Sequence, residues 1–391
     1  MRRALGALGC ATVLAVAGPA AAQSGPATDA LPTAGVVTWD DEVPDGWPAP
    51  PSATAVAYIL LDADSGQVLA ERAPDVRRPV ASTIKLLTVL TALEVLDLDR
   101  AVTVGDEVSV GGAGVGLEPG MTWTVQDLVD AVLVRSGNDA ARALAVAAGG
   151  DIATFVEMMA ATAADLGLEG ATIEDPTGLD DVNLLSARDL AVIARAARAN
   201  DVIRDTAAKP SVALPGQPEA ENRNLLLGTY PGATGLKTGY TDAAGWSLVA
   251  TARVGGADLM AVVLGARVDE ARFSEAAGLF DHADQSLDRS ESAPLGVSVP
   301  GAVLPIANAP TTVWAPPDTA VVGTLEVRDG VETWVLRIGD DEVAAAGLSV
   351  PRLDAAAGLG ARLADAMHRG MRQAHIADAW PAPSTATEGL G

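Results

Sequence analysis

Three short motifs in the sequence carry residue types that could perform acyl transfer. They are Ser82-Thr83-Ile84-Lys85, Ser136-Gly137-Asn138 and Lys237-Thr238-Gly239, and they occur in that order. A serine can supply a nucleophile and a lysine its base, so this chemistry needs no histidine. The chain has only three lysines, and two of them lie in these motifs. The order of the motifs and the scarcity of lysine together predict a serine–lysine acyl-transfer site.

The first motif supplies the nucleophile and the base. Apolar residues follow Arg78-Pro79 with helical spacing, which predicts a helix with Ser82 in its first turn. Residues three apart share one face of a helix, so Lys85 lies directly behind Ser82. A free lysine titrates near about 10.4, so Lys85 acts as a base only if burial or a second cation, for which Lys237 is the candidate, lowers its pKa. The alternative is a surface serine and lysine on an amphipathic helix, which the two later motifs disfavour.

The second motif lies on a predicted turn between two helices. Thr124 and Asp127 have the spacing of a capping box that opens one helix, and Ala140–Ala148 form the next. Ser136 and Asn138 are then free to point into a cleft. There Ser136 can pass a proton to a leaving amine, and Asn138 can bind a substrate amide. The alternative is an ordinary Ser-Gly-Asn turn with no part in chemistry.

The third motif precedes two strand-like runs, Trp246–Arg253 and Leu259–Leu264, which flank a Gly255-Gly256 turn as in a hairpin. Gly239 would allow the backbone of a strand to approach a substrate closely. Lys237 and Thr238 offer a cation and a hydroxyl to a substrate carboxylate. The alternative is a loop lysine that happens to precede a strand.

From about Ala57 to Leu287 the chain resembles the D-alanyl-D-alanine carboxypeptidases, the low-molecular-mass penicillin-binding serine peptidases. Besides the motifs, the resemblance lies in five segments: Tyr58–Gly66, Gly116–Gly120, Asp175–Asp180, Ser186–Asp189 and Tyr230–Gly245. It implies an α/β fold of the penicillin-recognising serine transferase and β-lactamase type. In this fold a sheet packs against helices, a helical subdomain carries Ser136, and a small β-rich C-terminal domain follows.

The resemblance also implies roles for the residues of the first two motifs. Ser82 resembles the serine that forms the acyl ester, and Lys85 resembles its base. Ser136 resembles the proton relay, and Asn138 resembles a substrate contact. The backbone N–H groups of Ser82 and Tyr240 would form the oxyanion hole, whose donors stabilise the charge that develops in the transition state.

The remaining implied roles concern the carboxylate end of the substrate. Lys237, Thr238 and Gly239 resemble the carboxylate-side contacts of the family. Arg272 resembles the arginine that holds the terminal carboxylate, and Arg223, between two asparagines, resembles a second arginine of the site. Solvated surface charges are the alternative for both arginines, since most arginines are exposed.

Composition excludes several other classes of function. The formal net charge of −25 disfavours attraction to nucleic acid or to an anionic membrane. A cleft that contains Lys85, Lys237 and two arginines would be locally positive in this negatively charged protein. Such a cleft suits a small anion such as a peptide C-terminus. The only cysteine, Cys10, lies in the predicted leader, so the mature chain has neither disulfides nor thiolate metal sites. We expect no cofactor and no metal, and the absence of G-x-S-x-G disfavours a serine–histidine esterase.

Changes in composition divide the chain into segments. Residues 1–22 read as a secretory signal that ends in Ala20-Ala21-Ala22, so the protein is expected to be exported to the periplasm or the outer face of the cell envelope. The other segments are a flexible Pro/Ala-rich lead-in (23–54), a serine D,D-peptidase domain (55–290), a small β-rich domain (291–351), an amphipathic helix (352–376) and a disordered tail (377–391). The helix would either associate weakly with a membrane surface or pack on the β-rich domain.

The expected function is a D-Ala-D-Ala carboxypeptidase that removes the terminal D-alanine from peptidoglycan stem peptides through an acyl-enzyme on Ser82. Penicillins and other β-lactam antibiotics would mimic the substrate and be bound covalently. A D,D-endopeptidase acting on cross-links would use the same residues and stays open. A class A-like β-lactamase ranks lower, because Ser136-Gly137-Asn138 and the segment after Glu174 do not fit its motifs. A non-catalytic wall-binding module ranks last, because every motif residue is intact.

Overall fold

The computed structural model describes residues 47–291, 296–299, 302–305, 312–319, 321–328, 331–338 and 341–347. The chain forms two compact units: residues 38–288 make up one, and the other contains the chain from Arg289 onward. The predicted signal (1–22), amphipathic helix (352–376) and tail (377–391) lie outside the described residues. The domain boundaries inferred from composition stay predictions.

The first unit contains short and long strands interleaved with helices. Its strands are β1 (Ala57–Asp62), β2 (Val68–Arg72), β3 (Arg78–Pro79), β4 (Ala101–Thr103), β5 (Thr122–Thr124), β6 (Leu184–Leu185), β7 (Ser211–Val212), β8 (Ala220–Glu221), β9 (Ala233–Thr241), β10 (Gly245–Val254) and β11 (Ala257–Ala266). Its α-helices are α1 (Lys85–Leu93), α2 (Val125–Val134), α3 (Asn138–Gly149), α4 (Ile152–Asp165), α5 (Ala187–Ala199), α6 (Asp201–Ala207), α7 (Leu226–Thr229) and α8 (Asp269–Ser286). A 3₁₀ helix, Ala81–Ile84, which we call the Ser82 turn, leads directly into α1.

A five-stranded antiparallel sheet in the order β2-β1-β11-β10-β9 forms the centre of this unit. Strand β11 is apolar almost throughout, because both faces of the sheet are covered. Alternate residues point to opposite faces, and Met260, Val262 and Leu264 join the large hydrophobic core. Helix α8 packs on β10 and β11 and buries Phe273 and Phe280. The predicted α/β fold is confirmed.

Helices α1 to α4 pack against one another in a helical lobe. The predicted capping box opens α2: Asp127 N donates to the Thr124 side chain, and Asp127 accepts from Thr124 N. A second capping box, of Ser186 and Asp189, opens α5. Among the described helices, none alone has the length and hydropathy to cross a membrane; α3 and α4 meet that standard only as a pair bent by 85°.

The last residues of the predicted lead-in have no regular secondary structure but are held in place. Trp47 is buried. Thr54 donates its backbone N–H and its hydroxyl to Glu275 of α8, at 2.6 and 2.7 Å. The Ala53 carbonyl accepts from Arg72 at 3.0 Å. These polar contacts, which composition does not reveal, fix the chain just before β1.

The described residues from Asp288 onward lie mainly in β-strands. They are β12 (Asp288–Glu291), β13 (Gly296–Val299), β14 (Ala302–Pro305), β15 (Thr312–Ala315), β16 (Val321–Arg328), β17 (Val331–Ile338) and β18 (Asp341–Gly347). Strands β16, β17 and β18 form a three-stranded antiparallel sheet. The register Arg328↔Val331 closes the hairpin that the Asp-Gly pair at 329–330 predicts.

Candidate active site

The Ser82 turn is fixed by close contact with a loop from another part of the chain. Gly178 has φ +73°, and a Cβ added there would lie 2.0 Å from the Ala81 carbonyl oxygen. Only glycine therefore fits at position 178. Ala81 itself has φ +50°, an uncommon conformation for a residue with a side chain. The nucleophile candidate, Ser82, is thus presented from a constrained turn.

Lys85 lies directly behind Ser82, as the sequence predicts. Its Nζ is 2.7 Å from Ser82 Oγ, 2.7 Å from Asn138 Oδ1 and 2.5 Å from the Thr177 carbonyl oxygen. The lysine is 0% exposed. The structure therefore brings the first two motifs into one hydrogen-bonded cluster and adds a carbonyl group from a third segment.

Burial lowers the pKa of Lys85 to about 7, against the opposing charges of Asp175 and Asp139, and the charge of Arg223 lowers it further. The sequence suggested Lys237 as the cation that acts on Lys85. In the structure the charge of Arg223 lowers the Lys85 pKa, and repulsion between Lys85 and Lys237 contributes to the lowered pKa of Lys237. Near neutral pH a substantial fraction of Lys85 is neutral and able to accept a proton.

The Thr177 carbonyl is held toward Lys85 by a turn that Asp175 organises. Asp175 Oδ2 accepts from the backbone N–H groups of Thr177, Gly178 and Leu179, at 3.0, 2.5 and 3.2 Å, and from the Thr177 hydroxyl at 2.6 Å. Thr88 of α1 donates to the Pro176 carbonyl at 2.7 Å. Motif reasoning missed this contact with Lys85, although Asp-Pro-Thr-Gly carries the signature of an Asx turn.

Ser136 and Asn138 lie on the turn between α2 and α3, as predicted. Ser136 has φ +62°, which turns its side chain out of the run of α2. Asn138 Nδ2 donates to the Gly111 carbonyl at 2.8 Å while its Oδ1 faces Lys85. Asp139 binds the same loop through the backbone N–H groups of Val115 and Leu117, at 2.8 and 3.1 Å. The start of α3 thus couples Lys85 to the loop around residues 111–117.

The third motif lies inside strand β9 and precedes β10 and β11, the two strands that the sequence predicts. Two glycines and three threonines in β9 obscure the apolar alternation by which a strand is recognised. Lys237 is 1% exposed. Its Nζ donates to Ser136 Oγ at 2.9 Å and to the Thr238 carbonyl at 2.8 Å. Burial first, then the charges of Lys85, Arg223 and Arg272, hold the pKa of Lys237 well below its usual value.

Gly239 allows a close approach of β9 to the Ser82 turn, and its close approach to a substrate stays a prediction. A Cβ at this position would lie 3.1 Å from both Thr83 N and Val80 O of the segment that forms the Ser82 turn. Strand β9 is at one end of the sheet and packs its backbone against this turn. The next residue, Tyr240, is exposed and stacks on Trp246, with ring centroids 3.9 Å apart.

The two arginines have different environments. Arg272 is 6% exposed and donates to the Gly239 carbonyl at 3.1 Å and to the Ser247 carbonyl at 3.4 Å. It also pairs with Asp269 at 2.5 Å. Arg223 is exposed, yet its charge acts on Lys85, Lys237 and Arg272. Both arginines therefore contribute positive potential to the site. Within the described residues, no three His, Cys, Asp or Glu side chains are grouped as metal ligands would be.

The sheet, the helical lobe and the contact between a serine and a buried lysine define a class, the penicillin-binding serine enzymes. Comparison with known proteins narrows the class to a family. The family profile described as D-alanyl-D-alanine carboxypeptidase matches residues 46–268, more than half of the chain. This protein belongs to that family of serine peptidases, and the predicted resemblance is confirmed.

Individual relatives agree with the family match. D-alanyl-D-alanine carboxypeptidase DacB2 of Mycobacterium tuberculosis is 41% identical over 252 residues, which are 62% of this chain and 86% of the relative. DacA of Escherichia coli K12 is 34% identical over 247 residues, and the chain spans 60% of its length. The crystal structure of penicillin-binding protein 6B from Escherichia coli has a TM-score of 0.64 and 30% identity, and the match covers 80% of this chain and 99% of that one.

Proposed function

We propose that this protein is a D-Ala-D-Ala carboxypeptidase that removes the terminal D-alanine from peptidoglycan stem peptides through an acyl-enzyme on Ser82. The observation that carries the proposal is the 2.7 Å contact between Ser82 Oγ and a lysine that is fully buried. A buried lysine with a pKa of about 7 is a competent base at neutral pH. β-Lactam antibiotics would acylate the same serine.

Substrate binding would prepare the base. The terminal carboxylate would lie near Lys237, Thr238 and Arg223, where positive charge is concentrated. A carboxylate beside Lys237 favours the charged form of that lysine. Because Lys85 and Lys237 repel each other when both are charged, Lys85 is then left as the neutral member of the pair. The substrate thus selects the protonation state that the reaction needs.

Acylation then follows from the contacts of the two lysines. Ser82 Oγ attacks the carbonyl carbon of the penultimate D-alanine while its proton passes to Lys85. Backbone N–H groups of Ser82 and Tyr240 stabilise the oxyanion. When the C–N bond breaks, the leaving amine takes a proton from the Ser136 hydroxyl. Lys237 then donates a proton to Ser136 across their 2.9 Å hydrogen bond.

Deacylation reverses these transfers, with water in the place of the amine. Water loses a proton through Ser136 to Lys237, and its oxygen attacks the ester carbonyl. Lys85 returns its proton to Ser82 Oγ as the ester bond breaks. Both lysines and both serines end in their starting protonation states.

The alternatives differ in how well they fit the site. A D,D-endopeptidase that cuts cross-links would use the same contacts and differs only in the leaving amine. A class A-like β-lactamase would need a loop glutamate beside the serine for deacylation. Here the loop presents the Thr177 carbonyl to Lys85, and the Glu174 side chain is exposed.

The proposal also includes export through residues 1–22 and weak membrane-surface association through 352–376. Cell fractionation of the protein with and without each segment would test both.

Intact-mass spectrometry of the signal-free protein mixed with penicillin tests the proposal, with Ser82→Ala as the control. We expect a persistent penicilloyl adduct on the wild-type protein, none on the variant, and release of D-alanine from an acylated D-alanyl-D-alanine peptide. An adduct that disappears while penicillin is hydrolysed would favour the β-lactamase. A folded protein that forms no adduct would contradict both functions and favour the wall-binding module.

A further inference from the structure

Arg272 contacts the peptide group that links Gly239 to Tyr240. Its Nη1 donates to the Gly239 carbonyl oxygen at 3.1 Å, and this carbonyl belongs to the same peptide unit as the Tyr240 N–H. The second acceptor of Nη1, the Ser247 carbonyl at 3.4 Å, lies on β10, directly opposite Gly239 in the sheet register. Arg272 therefore approaches this peptide from the β10 side.

The geometry of the peptide fixes where its N–H points. The C=O and N–H of a trans peptide point in opposite directions in one plane. The only cis bond of the described chain is Gly235–Leu236, so the Gly239–Tyr240 bond is trans. With its carbonyl turned toward Arg272 on the β10 side, the Tyr240 N–H points away from β10. Strand β9 packs its other side against the Ser82 turn.

Arg272 has little capacity left for a substrate carboxylate. Nη1 binds the two carbonyl groups, and Nη2 pairs with Asp269 at 2.5 Å. The guanidinium carbon lies 4.8 Å from the ring centroid of Trp246 and 4.7 Å from that of Phe273. Nε is buried without a partner, so it faces protein rather than solvent. Arg223, by contrast, is exposed and is the arginine that a carboxylate can reach.

We infer that Arg272 is a positioning residue for the oxyanion hole: it orients and polarises the Gly239–Tyr240 peptide, while Arg223 receives the substrate carboxylate. A charged donor on the carbonyl strengthens the N–H of the same peptide as a donor, because hydrogen bonds in a chain polarise one another. It also holds the peptide plane in place before the oxyanion forms, so no reorganisation is needed during the reaction. The inference rests on the proposed function, since it requires that an oxyanion form opposite Ser82.

Two matched acyl donors separate this role from carboxylate binding. One is an acylated D-alanyl-D-alanine peptide. The other is the matching acyl-D-alanine thioester of ethanethiol, whose leaving group carries no carboxylate. An arylboronic acid without a carboxylate provides a third readout, because its tetrahedral adduct on Ser82 places an oxygen in the oxyanion hole. The variants are Arg272→Met, Arg272→Gln, Arg223→Met and, as a matched exposed arginine, Arg267→Met.

We expect Arg272→Met to slow acylation by both donors by the same factor, on the order of tenfold, and to weaken boronate binding similarly. Removing an entire oxyanion donor costs about 10²–10³-fold, and Arg272 acts on such a donor indirectly. Arg272→Gln, which keeps an N–H for the Gly239 carbonyl, should recover part of the loss. Arg223→Met should slow the peptide donor far more than the thioester donor, which loses only the contribution of the Arg223 charge to the lowered Lys85 pKa. Arg267→Met should change none of the three readouts.

Several outcomes would overturn the inference. One is an Arg272→Met enzyme that is slow only with the carboxylate-bearing peptide and binds boronate normally. Another is an equal loss in Arg267→Met, and a third is the absence of any recovery in a folded Arg272→Gln variant. Failure of the proposed function looks different, because the wild-type protein itself would then react with neither donor.

Discussion

The lysines of this chain occupy two contrasting regions. Lys85 and Lys237 are buried next to the Ser82 turn and in β9, are at most 1% exposed, and have hydroxyl, amide and carbonyl oxygens as partners. Lys209 lies at the end of α6, has a side chain 39% exposed, and forms an ion pair with Asp130 at 2.8 Å. Lys85 and Lys237 are therefore buried among neutral partners, whereas Lys209 contacts a carboxylate and solvent.

This contrast shows what turns a lysine into a base. A buried ammonium without a directly bonded carboxylate is expensive, so the neutral form gains and the pKa falls. Lys209 has neither this burial nor neutral partners. The residue type is the same in both regions, and the surroundings decide the chemistry.

Replacing the base tests the contrast with the largest expected effect. Lys85→Met should slow acylation of Ser82 by penicillin by about 10⁴-fold or more, as losses of catalytic members of such units do. Lys209→Met should leave the rate within about twofold. Stopped-flow or quenched mass spectrometry measures both rates. Comparable losses of rate in the two variants would show that Lys85 is not the base for Ser82.

Ser136→Ala tests the proton path from Lys237. We expect acylation by the peptide donor to fall by about 10²–10³-fold, because its leaving amine needs a proton and general acid catalysis contributes on this scale. The thioester donor should be affected far less, because a thiolate leaves without protonation. Initial rates with both donors measure the difference. Equal losses with the two donors would argue that Ser136 has a structural role only.

Local signals in the sequence predicted much of the fold. The capping box at Thr124 and the Gly255-Gly256 hairpin depend on residues close in sequence, and they were placed correctly. The pairing of Ser82 with Lys85 was also predictable, since one helical turn connects them.

Contacts between distant segments were not predictable in this way. Thr177 reaches Lys85 across 92 positions, and Lys237 reaches Ser136 across 101. The tight fit of Gly178 against Ala81 is likewise set by the packing of a loop on the Ser82 turn. No local pattern specifies which carbonyl accepts from a lysine, so the motifs indicate candidate catalytic residues but not the turn that holds them.

Asp175→Asn refines the contrast through pH dependence. Acylation needs neutral Lys85, so the wild-type rate should fall about tenfold for each pH unit below about 7. The charge of Asp175 favours the ammonium form of Lys85, and removing it should move the midpoint of the profile to lower pH. The amide oxygen can still accept from the N–H groups of the turn. A midpoint that moves to higher pH would contradict this electrostatic role.

The smallest effect is expected at Lys209, where the contrast concerns stability rather than rate. Lys209→Met removes an ion pair that is partly exposed, and such pairs contribute about 0–1 kcal/mol to the free energy of unfolding. Asp130 keeps hydrogen bonds from Gln126 at 2.9 Å and Thr206 at 3.3 Å, so the variant leaves no carboxylate unpaired. Urea unfolding of wild type and variant at low and high salt measures the difference, which salt should reduce further. A loss of several kcal/mol that salt does not change would contradict the prediction, because it would show that Lys209 stabilises the fold far more than an exposed ion pair does.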